Sequence, residues 1–69
     1  MSMFYTYVLI SLKDDNLYIG WIDDLEERFK KHCDGKVTAT KNRLPLKLVY
    51  YEACLEKEKA IAREKQLKT

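Results

Sequence analysis

Four kinds of side chain in this sequence could do chemistry, and Glu64 is the most informative. Residues 56–68 have the Lys, Glu and Ala content of a helix. At about 100° per residue, Ala60, Ile61 and Leu67 define its apolar arc. Glu64 falls in the middle of that arc. A buried, unpaired carboxylate is costly, so a small protein keeps one only with a cation or hydrogen-bond donors nearby. Two explanations are open. Glu64 either holds a cation in a functional site, or pairs within its helix with Lys68, Lys57 lying at a neighbouring angle.

Arg28 and His32 are four residues apart on an earlier helix whose apolar stripe is Leu25, Phe29 and Cys33. His32 falls inside that stripe and Arg28 on its edge. Taken alone, the pair reads as a snorkelling arginine and a core-edge histidine with a satisfied hydrogen bond. The tyrosines are the third group. Tyr5 and Tyr7 share one face of a strand, and Tyr18 and Gly20 share one face of the next. Glycine in a short strand often marks a close approach by a ligand or by backbone, whereas each tyrosine alone is only a good strand residue. The fourth group is basic. Lys36, Lys41, Arg43 and Lys47 lie between Gly35 and Tyr51 with no acid among them. Such a segment can neutralise phosphates, or it can simply be a solvated loop.

The elements that must position these residues belong to one domain spanning 1–69. A chain this short buries only about 60% of its unfolded surface, so polar groups on apolar faces are conspicuous. The net charge of +2 conceals an asymmetry: four bases against seven acids in residues 1–34, nine against four in residues 35–69. No apolar run is long enough for a membrane span, and no membrane partner is expected. The first residues lack a basic start followed by a long apolar stretch, so no signal peptide is expected. Cys33 and Cys54 form no CxxC pair and only one histidine could join them, which argues against zinc and against disulfide stapling. A reducing cytoplasm is the expected location.

Residues 4–10 are a continuous apolar and β-branched run, expected as a central strand. A polar turn at Lys13-Asp14-Asp15-Asn16 leads to a second strand over 17–21, completing a hairpin. Residues 23–34 switch to helical period, with Asp23 or Asp24 as N-cap and Gly35 as the terminating glycine. A loop over 36–45 ends at Pro45. A third strand covers 46–54 and a second helix 56–68. The fold class is therefore α/β (α+β): a three-stranded, mainly antiparallel sheet flanked by helices, in the order β-β-α-β-α.

These residues, in this order, resemble the GIY-YIG superfamily. Tyr18-Ile19-Gly20 is a literal YIG, and ten residues separate it from Tyr7, whose segment Tyr5-Thr6-Tyr7 stands where GIY would be. Arg28 follows Tyr18 by ten residues and His32 follows by four more. The Gly35-Lys36 turn, Thr40-Lys41, Pro45, Leu48-Val49-Tyr50-Tyr51-Glu52 and Ala60…Arg63-Glu64-Lys65…Leu67-Lys68 look like the small stand-alone bacterial branch. The resemblance covers essentially the whole chain. It departs where Tyr5 and Thr6 replace Gly and Ile, and where Trp21 stands in place of the lysine of the excision-repair branch.

Relatives in that superfamily include the excision-repair nuclease subunit and intron homing endonucleases, which cut DNA with one divalent metal. The resemblance implies a metal-dependent endonuclease or nickase that hydrolyses DNA phosphodiesters with low sequence specificity, on substrates that include branched or damaged DNA. It assigns Tyr7, Tyr18, Arg28, His32 and Glu64 as catalytic residues, and Glu64 as the ligand of one Mg²⁺ or Mn²⁺. The basic residues Lys36, Lys41, Arg43 and Lys47 would then guide the nucleic-acid backbone. The base is Tyr7, or His32 with Tyr7 orienting the water. Two other classes compete: a non-catalytic nucleic-acid-binding module that keeps the fold, and a structural or partner-binding domain.

Overall fold

The computed structural model describes residues 3–69; Met1 and Ser2, where the expectation of no signal peptide begins, lie outside the described residues. The elements are β1 (Phe4–Ser11), β2 (Leu17–Ile22), α1 (Leu25–Cys33), β3 (Leu46–Cys54) and α2 (Lys57–Lys68). They form a three-stranded sheet of order β2-β1-β3, with both pairings antiparallel. This is the expected β-β-α-β-α order and fold class. Element ends differ by one or two residues from those expected, within the fraying that helix and strand ends normally show.

The turn from β1 to β2 closes because Asp15 adopts φ 59°. The Ser11 N–H donates to the Asn16 carbonyl and the Asp15 N–H to the Ser11 carbonyl. Asp24 is the N-cap of α1, its side chain accepting from the Glu27 N–H at 3.1 Å. The helix ends in a Schellman arrangement. Gly35, at φ +73°, donates to the His32 carbonyl and Lys36 donates to the Lys31 carbonyl.

Alternation along β1 sends Tyr7 and Leu9 to one face and Thr6 and Val8 to the other. The first face forms the core: Tyr7, Leu9 and Leu46 pack with Leu25 and Phe29 of α1, Tyr18 and Ile22 of β2, and Leu44 and Leu48. On the second face, the Thr6 hydroxyl donates to the Ala60 carbonyl of α2 at 2.9 Å, with both residues buried.

Cys33, expected in the buried stripe of α1, is exposed. The inward face of α1 runs through Leu25, Phe29 and His32 instead. His32 takes the inner position because two buried hydrogen bonds satisfy its ring. The loop between α1 and β3 is not loose either. Its Val37 and Thr40 are buried. Ser11 Oγ donates to the Arg43 carbonyl, and the Leu12 N–H to the Pro45 carbonyl, tying the loop to the hairpin turn.

β3 is an edge strand. A register shift opposite Val8/Leu9 breaks its regularity, and Lys47 is exposed along it, both of which discourage edge-to-edge association.

Candidate active site

Tyr7 is on the central strand, opposite Gly20 of β2. A Cβ built on Gly20 would lie 2.6 Å from the Tyr7 hydroxyl oxygen and 2.8 Å from Cζ. The glycine of the YIG segment is thus required by the Tyr7 ring, which lies over the β2 backbone. Tyr18, two residues before Gly20 on the same face, packs beside it with ring centroids 6.4 Å apart. His32 of α1 completes a triangle of rings, at 5.8 Å from Tyr7 and 5.2 Å from Tyr18. Its Nε2 and the Tyr7 hydroxyl share a hydrogen bond at 3.1 Å, and its Nδ1 and the Thr40 hydroxyl share one at 2.7 Å.

Arg28, one turn before His32, brings a positive charge beside the phenol oxygens of Tyr7 and Tyr18, and Tyr7 is its strongest polar influence. The Arg28 Nε is buried and has no hydrogen-bond partner. A buried N–H without an acceptor is uncommon and calls for a physical reason.

Glu64 enters from α2. Its side chain is only 18% exposed, and its charge is the smallest of the influences on the Tyr7 phenol. It also forms the intrahelical pair anticipated with Lys68, Nζ to Oε2 at 3.3 Å. Lys68 is more than half exposed, so this pair holds the carboxylate only weakly against a competing cation.

The electrostatics follow from burial and from Arg28. Burial holds the Tyr7 pKa above the ordinary 10.0; Arg28 opposes that effect, while Tyr18 and Glu64 reinforce it. Burial, then the charge of Arg28, depresses His32 from 6.5 to about 4. At neutral pH the imidazole is therefore uncharged and the phenol protonated.

The five candidate side chains do not line a common open cleft. Tyr7 is 1% exposed and His32 fully enclosed; Tyr18 and Arg28 are half-buried beside them, and Glu64 is half-buried on α2. A concavity of about 440 Å³ lies elsewhere, lined by Tyr5, Leu25, Phe29, Leu48 and Tyr51 together with the acidic Asp23, Asp24 and Glu26. Arg28 lines a smaller hollow of about 140 Å³ with Ile22, Asp23, Asp24, Glu27 and Lys31.

Among the described residues, no three His, Cys, Asp or Glu side chains stand together as a ready-made metal cage. A single, largely shielded carboxylate does fit a hydrated Mg²⁺ or Mn²⁺, which keeps several waters and takes few protein ligands. Of the basic residues, Lys36, Lys41 and Lys47 are exposed. Arg43 is occupied: its Nε donates to Asp14 Oδ2 at 3.1 Å and its Nη2 to the Asn16 carbonyl at 3.0 Å, bracing the hairpin turn. Thr40 has a contact that residue spacing did not signal, because its loop has no period to relate it to His32.

A family model for the GIY-YIG catalytic domain matches residues 3–69. The chain belongs to the GIY-YIG family. It is 43% identical over 67 residues to a UPF0213 protein of Clostridium perfringens, covering 96% of this chain and 71% of that one. It is 40% identical over 70 residues to a UPF0213 protein of Staphylococcus saprophyticus, covering 100% and 84%. The solution NMR structure of a UPF0213 protein from Bacillus halodurans superposes with a TM-score of 0.58 at 37% identity, covering 96% of this chain and 70% of that one. Membership of the GIY-YIG catalytic-domain family implies a nuclease-type function and a nucleic-acid substrate. No helix among the described residues is long and apolar enough to cross a membrane.

Proposed function

We propose that this GIY-YIG protein, as one domain spanning residues 1–69, is a divalent-metal-dependent endonuclease or nickase. It hydrolyses DNA phosphodiester bonds, branched or damaged DNA included, according to structure rather than sequence. The observation that carries this reading is the Arg28 guanidinium, held beside two phenols with a buried Nε–H that no protein group accepts. Arg28 also lines the hollow of about 140 Å³, where a phosphate would meet the guanidinium, and arginine matches phosphate oxygens in a bidentate way.

Arg28 binds the scissile phosphate and stabilises the charge that builds on its oxygens as water attacks phosphorus. Glu64 would hold Mg²⁺ or Mn²⁺, which when bound supplies Lewis-acid stabilisation of the phosphate and of the departing oxygen. Tyr18, at the half-buried front of the cluster, orients the attacking water. That water's proton passes to Tyr7, or to His32 with Tyr7 also orienting the water. Lys36, Lys41 and Lys47, exposed on the loop and on β3, contact backbone phosphates and carry no base-reading geometry. Arg43 joins them only by giving up its contacts with the hairpin turn. The free thiols of Cys33 and Cys54 suit a reducing cytoplasm.

One observation favours a second reading, a binding module without turnover: Glu64 already has a partner in Lys68. Nicking of supercoiled plasmid separates the two. The nuclease reading expects Mn²⁺-dependent nicking by the wild type and none by Glu64→Ala. Salt-sensitive DNA binding by both, without nicking by either, supports the binding module.

A further inference from the structure

Thr40 distinguishes the two candidate proton acceptors. It lies wholly enclosed in the loop between α1 and β3, and its hydroxyl has one hydrogen-bond partner, His32 Nδ1 at 2.7 Å. The other ring nitrogen, Nε2, stands 3.1 Å from the Tyr7 oxygen. A neutral imidazole carries one proton, so one nitrogen donates and the other accepts. Hydroxyl donors make the shorter bonds, about 2.7–2.8 Å to oxygen, against about 2.9–3.0 Å for N–H to oxygen. The short contact therefore matches Thr40 O–H donating to Nδ1, and the longer one Nε2–H donating to Tyr7.

Enclosure argues the same way. A proton on Nδ1 would leave the Thr40 hydroxyl hydrogen without an acceptor in a sealed part of the core, where an unmade hydrogen bond costs most. In the opposite arrangement the unused hydrogen sits on Tyr7, beside the half-buried Tyr18 and Arg28. That is the side of the cluster a substrate would meet.

We propose that Thr40 is a positioning residue: by donating to Nδ1 it fixes His32 as the Nε2–H tautomer, making the imidazole a hydrogen-bond donor to the Tyr7 oxygen. The catalytic consequence rests on the nuclease reading. His32 then offers Tyr7 no lone pair and is not the base. The Tyr7 oxygen is flanked instead by an N–H and a guanidinium, which oppose the burial that keeps the phenol protonated at neutral pH and stabilise a phenolate once its proton has passed to solvent. That phenolate takes the proton of the attacking water and returns to phenol as the oxygen–phosphorus bond forms and the leaving oxygen departs.

The chain has a single histidine, so ring-nitrogen NMR of ¹⁵N-labelled protein at neutral pH reports on His32 alone. The expected spectrum shows Nε2 protonated and Nδ1 unprotonated; a ring protonated at Nδ1 overturns the proposal. Thr40→Ser keeps the wild-type ring pattern and the nicking rate. Thr40→Val removes the hydroxyl at nearly constant shape, loses the tautomer preference, and lowers kcat roughly tenfold with KM unchanged, the effect of one hydrogen bond on a barrier. A Thr40→Val ring identical to the wild type's also overturns it. Should that variant fail to fold, the wild-type and Thr40→Ser spectra still decide. A wild type that shows the expected tautomer but does not nick refutes the nuclease reading and leaves the hydrogen-bond assignment standing.

Discussion

Acidification of this protein will expose how much of its stability rests on an uncharged His32. The imidazole is fully enclosed, and its folded pKa lies at about 4 against an ordinary value of 6.5. The group is depressed, so its contribution is complete above pH 6.5 and is lost as pH falls towards 4, because the unfolded chain takes up the proton first. Each unit below 6.5 costs about 1.4 kcal/mol, so about 2 kcal/mol is gone by pH 5. The carboxylates whose pKa values are lowered, Asp14 by the Asn16 backbone N–H and Glu52 by the Tyr50 hydroxyl, begin to matter only below their ordinary values of 3.8 and 4.5. Between pH 6.5 and 5 the loss is therefore due chiefly to His32. For a domain of this size the urea midpoint should fall by roughly 1–2 M across that window. Urea titrations followed by circular dichroism at half-unit pH steps measure it, with His32→Gln as control. The variant is less stable throughout, but its profile from 6.5 to 5 is nearly flat. A wild-type midpoint that does not move over this range refutes the claim that the imidazole is buried uncharged.

Gly20→Ala places a Cβ 2.6 Å from the Tyr7 hydroxyl oxygen, so the ring must shift. A loss of about 1–3 kcal/mol is expected, seen as a lowered melting temperature, together with loss of nicking. Arg43→Ala loosens the hairpin turn and lowers the melting temperature slightly, leaving the salt dependence of DNA binding little changed. Lys41→Ala does the reverse: the melting temperature holds, and the slope of log affinity against log salt falls by about one phosphate contact.

Much of the fold was legible because its signals are local. The apolar run before Ser11, the Asp24 cap, the Gly35 stop and the β3 run each bracket an element within a residue or two of where it lies. The position of Glu64 was also legible, since the angular count on α2 placed it among apolar residues and it is largely shielded. That count could not choose between a cation and Lys68; the Lys68 pair is present, and Glu64 adds only the smallest of the effects that hold the Tyr7 pKa up. What escaped depends on contacts between distant segments. Nothing in the spacing of Thr40 points to His32, or in that of Arg43 to Asp14, because a loop has no period with which to aim a side chain. Cys33 was misplaced because a stripe drawn through Leu25 and Phe29 can continue through either Cys33 or His32. The two hydrogen bonds that favour His32 involve Tyr7 and Thr40, neither of them on the helix.

The central claim is that Glu64 binds a cation beside Arg28 and the two tyrosines, and Mn²⁺ titration into ¹⁵N-labelled protein tests it most directly. Paramagnetic broadening is predicted first at the amides around Glu64 and at Tyr7, and it should vanish from these positions in Glu64→Ala. Broadening centred on Asp23, Asp24 and Glu26 of the acidic rim, or unchanged by the substitution, would contradict it.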